Sequence, residues 1–367
     1  MSLRFNFVRH AVGNRFFSGQ AENNTSLTAL DRFCIQYANK RCSVKGEFDN
    51  IPIVDLSGLA NEASDTARAA SVAALKAALE TSGFAYLSNH GVPEDLVERM
   101  RQMNMAVHAL PDVEKEKLKI NDFHRGYMPM STSTIVTSSV AKVTKPNQSE
   151  SLMVMHEVPE GAPHAGEPLQ GPNQFPESLP QVRETALAYM AEMTKLGERI
   201  AGGLAEALGL PRDWFEQHFQ DPTLFLRLLH YPEQKDEEEL FGSAPHTDYG
   251  FVTLLKQDNV GGLEVRNKRG EWIPAPPIEN TFVMNVGDIL AKWSNGRFVS
   301  TPHRVKNLSR RDRYSQPFFY DPSMRALVEC PPAMLDAGEK PQMKPVLYGD
   351  YLLERLNKNY DYRKKTS

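Results

Sequence analysis

In the segment PHTD, His246 and Asp248 stand two residues apart, and on an extended chain both side chains leave the same face. They can share one ion. A third donor must come from a distant strand, and His303 in TPHRV lies 55 residues after Asp248, behind the turn signal Ser294-Asn295-Gly296. Two imidazoles and one carboxylate form the facial set that holds Fe(II) and leaves positions open for dioxygen, although zinc accepts the same donors. Either histidine alone reads more readily as an ordinary polar or core residue, so the conjunction carries the weight. The remaining histidines show no such paired spacing.

Ten residues past His303, Arg313-Tyr314-Ser315 begins an apolar strand, where alternation would point the guanidinium and the Ser315 hydroxyl to one side. A planar fork of donors plus one hydroxyl suits a carboxylate. The neighbouring Arg310 and Arg311 read instead as surface charge.

These groups need a scaffold. Residues 51 to 57, IPIVDLS, predict a strand, and 65 to 81 place Ala and Leu at helical spacing. Phe84 to Leu87, bounded by Gly83 before and Gly91 and Pro93 after, predicts a second strand with a helix following. From 121 to about 180 helical periodicity fails and Pro, Gly, Ser and Thr accumulate, which predicts loop and irregular strand. Tyr189, Met193, Leu196, Ile200 and Leu204 then share one face of a helix over 181 to 208. Short strands follow at 224 to 231, 251 to 256, 262 to 266, 281 to 286 and 313 to 320, the texture of a β sandwich or barrel. A final amphipathic helix spans about 346 to 357, before the basic tail RKKTS.

Composition narrows the function classes. In 367 residues, 41% are hydrophobic and 24% charged, which is ordinary for a globular chain. The net charge of -4 marks no nucleic-acid or polybasic membrane surface, so small molecules are the expected partners. No apolar run of about 18 residues occurs, which predicts a soluble protein. Three cysteines without metal-finger spacing fit reduced thiols and a cytoplasmic location. The N-terminus, with Arg4, Arg9 and Arg15 among phenylalanines and no acid before Glu22, shares a bias with organellar targeting peptides, but no apolar core segment follows. Nothing in the sequence sets the oligomeric state.

Taken in order, IPIVDLS, GFAYLSNHGV (83 to 92), RGY (125 to 127), HYP (230 to 232), HTDYGFVTLL (246 to 255), GGLEV (261 to 265), NVGDIL (285 to 290), NGRFVSTPHRV (295 to 305) and RYSQPFFYDP (313 to 322) run collinearly along the chain. In these segments the sequence resembles the isopenicillin N synthase-like 2-oxoglutarate and Fe(II)-dependent dioxygenases over nearly its whole length. The resemblance implies a mixed α and β chain with a β-dominated core, a double-stranded β-helix or cupin-like jelly roll, flanked by N-terminal helices and a C-terminal helix. It implies iron on His246, Asp248 and His303, and the distal carboxylate of 2-oxoglutarate on Arg313 and Ser315 with a hydroxyl from Tyr231. Leu229 stands where many plant members carry an asparagine near the cosubstrate.

The implied reaction consumes 2-oxoglutarate and dioxygen, releases succinate and carbon dioxide, and hydroxylates, desaturates or cyclises a small molecule. Substrate contacts are expected from 121 to 156 and the last strands, with Arg125, Tyr127, Met128 and Met130 as candidates and Phe319 as a wall. Two other readings stay open at this point: an oxidase of the same fold that uses Fe(II) and dioxygen without 2-oxoglutarate, and a non-catalytic metal-dependent small-ligand receptor. The expected organisation is an extension over 1 to 50, an N-terminal dioxygenase region over 51 to 180, the jelly-roll core over 181 to 345, and the terminal helix and tail over 346 to 367.

Overall fold

Ser64 starts the first long helix: its backbone is extended, its hydroxyl accepts from the Ala67 N–H at 3.2 Å, and Asp65 adds an acid to the first turn. The resulting α1, Asp65–Thr81, buries Leu75, Ala78 and Leu79. It connects two strands, β1 (Ile53–Asp55) and β2 (Phe84–Ser88), which pair in parallel, as a helical crossover allows. The turn between α1 and β2 needs Gly83, at φ +70°, because a Cβ there would sit 2.0 Å from the Val299 carbonyl oxygen. The computed structural model describes residues 47–335 and 338–363, so nearly all of the expected N-terminal extension, and the end of the basic tail, lie outside the described residues.

Two sheets follow from the strand pairings. The larger runs β1, β2, β10 (Phe282–Val286), β7 (Val252–Gln257), β12 (Arg313–Asp321), β5 (Thr223–Tyr231), β4 (Glu150–Met155) and β3 (Gly126–Met128). The smaller runs β6 (Ser243–His246), β11 (His303–Val305), β8 (Leu263–Arg266) and β9 (Trp272–Pro274). Phe84, Tyr86, Leu229, Tyr231 and Val283 from the first meet Leu263, Val265 and Val305 from the second in one apolar cluster. The facing sheets form a distorted double-stranded β-helix. Helices cover its other side: α1, α2 (Glu94–His108) and α4 (Gln181–Ala207), with the short α3 (Asp112–Lys117) between the last two. On α4 the stripe Tyr189, Met193, Leu196, Ile200 and Leu204 is buried as its spacing predicts, each such side chain contributing about 1.5–3 kcal/mol. A short α5 (Asp288–Trp293) precedes the terminal helix, α6, which spans Tyr348–Asn359.

One expectation is corrected. The 121 to 180 stretch, read as loop and irregular strand, contains the regular strand β4 in the body of the larger sheet, paired to β5. Every residue of β4 is buried, so ESLMVM carries no alternation by which to recognise it.

His90, between β2 and α2, is 3% exposed, packs 4.6 Å from the Phe282 ring and accepts the Val92 N–H at Nδ1. Burial, reinforced by Lys256, pushes its pKa down to about 4. The unfolded chain therefore takes up this proton near pH 6.5 while the folded chain resists to about 4, so stability falls across that window as pH drops. In thermal melts against pH, His90→Gln should flatten this loss, worth on the order of 2–3 kcal/mol.

Candidate active site

The smaller sheet brings the metal-type donors together. His246 ends β6, His303 begins β11, and the two are cross-strand partners with ring centroids 4.3 Å apart. Asp248 lies just past the end of β6, where the chain turns toward β7. The Nδ1 of His246 lies 2.8 Å from the Ala244 carbonyl and that of His303 3.3 Å from the Thr301 carbonyl. Those contacts place the proton on Nδ1 and leave both Nε2 lone pairs free. The Nε2 atoms lie 3.5 and 3.7 Å from Oδ1 of Asp248. The other carboxylate oxygen, Oδ2, accepts from the Thr253 hydroxyl at 2.5 Å and from Asn285 Nδ2 at 2.7 Å, so Oδ1 is presented to the same point as the two imidazoles. All three donor atoms lie within 4.8 Å of one another.

The protonation states suit a cation. Burial works against the Asp248 charge, but His303, His246 and the Thr253 hydroxyl outweigh it and hold the carboxyl well below its ordinary range. Burial pushes His303 down to about 4, with His246 adding to the effect, so its ring is neutral at physiological pH. A carboxylate and two imidazoles on one side of a common point match the facial iron set.

Along β5 and β12 the inward side chains recur every second residue. At one end Arg313 is fully buried, stacks over the Tyr231 ring at 4.8 Å, and stands opposite Tyr231 in register. Among the described residues only its Nη1 has a hydrogen-bond partner, Ser315 Oγ at 3.4 Å, while Nε and Nη2 have none. A buried cation without a counter-ion costs several kcal/mol, so the pocket is built for an anion. Leu229, opposite Ser315, lies in the apolar cluster between the sheets and offers no polar side chain there. At the other end, Phe225 and Arg227 of β5 and Phe319 and Asp321 of β12 line a cavity that reaches His246 and Asp248. Asp321 sits at its base, accepting from the Phe251 N–H and the Tyr348 hydroxyl, and burial pushes its pKa up to about 7. Only glycine fits at 250, since a Cβ would come within 1.8 Å of Asp321 Oδ1.

Comparison with known proteins agrees with this geometry. Residues 222–322 match the 2OG-Fe(II) oxygenase superfamily, and 51–178 match the N-terminal region of the non-haem dioxygenases of morphine synthesis. The 2-oxoglutarate-Fe(II) type oxidoreductase hxnY of Emericella nidulans is 32% identical, over 84% of this chain and 90% of its own. The chain belongs to the 2OG-Fe(II) oxygenase superfamily. Homoarginine-6-hydroxylase 2-ODD-C23 of Glycine max is 33% identical over 86% of this oxygenase and 98% of its own chain. Among solved structures, a full-length Neurospora crassa protein in complex with alpha-KG and thymine superposes with a TM-score of 0.75 at 27% identity, covering 86% of this chain and 99% of that one. JOX2 in complex with 2OG, Fe and JA gives 0.69 at 27% identity, covering 87% and 92%. The protein is thus a 2-oxoglutarate-dependent Fe(II) oxygenase that consumes dioxygen and acts on a small molecule. Among the described residues, no helix is long and apolar enough to cross a membrane.

Of the expected substrate residues, the structure brings only Phe319 to the cavity wall. Arg125 in this oxygenase is completely buried elsewhere, and its guanidinium donates to the carbonyls of Phe123 (3.0 Å), Leu169 (2.7 Å) and His156 (3.1 Å). It ties loops together. Tyr127 hydrogen-bonds Glu150, Met128 is buried on β3, and Met130 is absent from the lining. The 121 to 156 stretch still reaches the cavity, through Ser133, Ile135, Asn147 and Met153. Arg125→Ala should therefore lower stability by roughly 2–4 kcal/mol in a denaturant titration, since it strands buried carbonyls, and should leave 2-oxoglutarate binding intact in the folded fraction.

A second group of metal-type donors, His108, Glu150 and His230, also lies within 4.8 Å. Its carboxylate is already satisfied: Oε1 takes His230 Nδ1 at 2.7 Å, and Oε2 takes the Lys115 ammonium at 3.1 Å and the Tyr127 hydroxyl. The ammonium already neutralises this carboxylate, which separates the group from the Asp248 set.

Sequence reasoning missed Arg227, Phe225, Thr253 and Asn285. A signal existed for the first two: once Tyr231 is placed inward, period two puts 229, 227 and 225 on the same face. Thr253 and Asn285 lie on separate strands and carry no local mark.

Proposed function

We propose that in this oxygenase His246, Asp248 and His303 hold the ferrous iron, and that Arg313, with Ser315 and Tyr231, receives the distal carboxylate of 2-oxoglutarate. The observation that carries the reading is the unpaired Arg313 guanidinium, buried on the same inward faces that lead to the three converging donors. The small substrate occupies the cavity beyond the metal, which Phe225 and Phe319 help to wall. We further propose that the protein works in the cytoplasm, and that residues 51 to 180 and 181 to 345 act as the N-terminal region and the catalytic core.

Bound iron supplies the redox chemistry that couples decarboxylation of 2-oxoglutarate and reduction of dioxygen to removal of a substrate hydrogen. The chain contributes position and environment. Ala244 and Thr301 fix the two ring orientations, while Thr253 and Asn285 fix the carboxylate. Arg313 sets the register of the cosubstrate, and the apolar inter-sheet cluster excludes water beside it.

Succinate release from 2-oxoglutarate by the Fe(II)-loaded protein, together with direct 2-oxoglutarate binding, tests the assignment. Ser315→Ala should raise the 2-oxoglutarate requirement by about 0.5–1.5 kcal/mol, the range for one hydrogen bond partly replaced by water. An unchanged 2-oxoglutarate titration in that variant would separate Ser315 from the cosubstrate.

A further inference from the structure

We infer that the substrate carries a carboxylate and that Arg227 is its receptor. This rests on the placement of iron and 2-oxoglutarate given above. Arg227 is the only lysine or arginine among the described residues that line the cavity. It makes no ion pair among the described residues, and its one hydrogen bond runs from Nε to Ser151 Oγ at 2.9 Å. Ser151 is itself fully buried on β4, two residues from Met153, the register partner of Arg227. Holding Nε from behind leaves the two Nη groups, which have no hydrogen-bond or ion-pair partner among the described residues, available to the cavity that Arg227 lines.

The rest of the lining selects the ligand further. Phe225, Phe319, Ile135 and Leu352 give it an apolar wall, and Ser133, Asn147, Ser243 and Asn359 place neutral polar groups beside it. The two buried acids on its wall have other roles: Asp248 faces the two imidazoles, and Asp321 takes the Phe251 N–H and the Tyr348 hydroxyl. One guanidinium in a cavity with no second lysine or arginine among the described lining residues complements one monoanion, and the Arg fork matches a carboxylate with two parallel hydrogen bonds. A phosphate dianion would keep an uncompensated charge there. The substrate class is a small monocarboxylic acid, its acid group on Arg227 and its carbon skeleton directed toward the metal.

The test uses matched probes on protein loaded with Mn(II) and saturating 2-oxoglutarate, so that no turnover occurs and the Arg313 pocket is filled. Phenylacetate, 3-phenylpropanoate and hexanoate are titrated against their primary amides, with phenyl phosphate alongside, by ligand-observed NMR. At least one acid should bind about tenfold or more tightly than its amide. Arg227→Gln should bring acid and amide within about twofold, Arg227→Lys should retain part of the preference, and Ser151→Ala should weaken it about threefold. Equal binding, or no binding, across every pair overturns the inference, as does an acid preference that survives Arg227→Gln or tightest binding by phenyl phosphate. Binding of 2-oxoglutarate is measured in the same samples. Its absence in the unsubstituted protein would overturn the cosubstrate placement itself, whereas its presence without an acid preference overturns the role of Arg227 alone.

Discussion

His246→Ala, Asp248→Ala and His303→Ala are each expected to lower iron-dependent turnover by at least about 100-fold while leaving the circular dichroism spectrum and melting profile close to those of the parent. Removing outer partners of a metal ligand already costs roughly 10–100-fold, and each of these substitutions removes one of three protein donors. The fold survives because the donors sit at the ends of short strands, outside the two apolar clusters. Asp248→Glu belongs with them: Thr253 and Asn285 fix Oδ2, so a longer side chain cannot keep both bonds and still present its second oxygen within roughly 0.2 Å of the same point. Metal content by mass spectrometry and turnover are read together. Retained turnover in two of the three alanine variants would remove the triad assignment.

Arg313 gives the second large effect, and it has two readouts of opposite sign. Arg313→Lys replaces a planar fork with a point charge and should raise the apparent KM for 2-oxoglutarate roughly 10- to 100-fold. Arg313→Met removes a buried cation that has no counter-ion among the described residues, so the 2-oxoglutarate-free protein should be equally stable or gain about 1–4 kcal/mol. The same variant should lose the rise in Tm that added 2-oxoglutarate confers on the parent. A merely structural arginine predicts the reverse, a lower Tm without ligand and an unaltered ligand-induced rise.

How far the site was legible depended on how local its marks are. His246, Asp248 and His303 could be read because the HTD spacing, the turn before TPHRV and the RYS that follows all lie in continuous segments whose strand character is visible. The helical stripe of α4 was legible for the same reason, since one face is buried and the other is wet. β4 was not, because a strand covered on both faces loses its alternation. The substrate arginine was sought at Arg125, beside an aromatic in an irregular stretch, yet burial there is complete and three main-chain carbonyls occupy the guanidinium. Charge and neighbourhood in sequence do not tell a loop fastener from a side chain that lines a cavity.

β5 and β12 carry the buried Arg313 pocket proposed for 2-oxoglutarate and the cavity proposed for the substrate on the same faces, and this makes them a graduated scale. Inward positions come only every second residue, so a functional group can be moved along the scale in steps of about 6.6 Å and in nothing finer. From Tyr231 to Arg227 is two such steps, roughly 13 Å, and from Arg313 to Phe319 three, roughly 20 Å. Relatives that keep the 2-oxoglutarate end would then change the length of molecule they accept in increments of several carbon atoms, by relocating one side chain two residues up or down a strand. Finer adjustment within a step falls to the length of the side chain itself, as Lys, Arg, Gln or His reaches a different distance from the same rung.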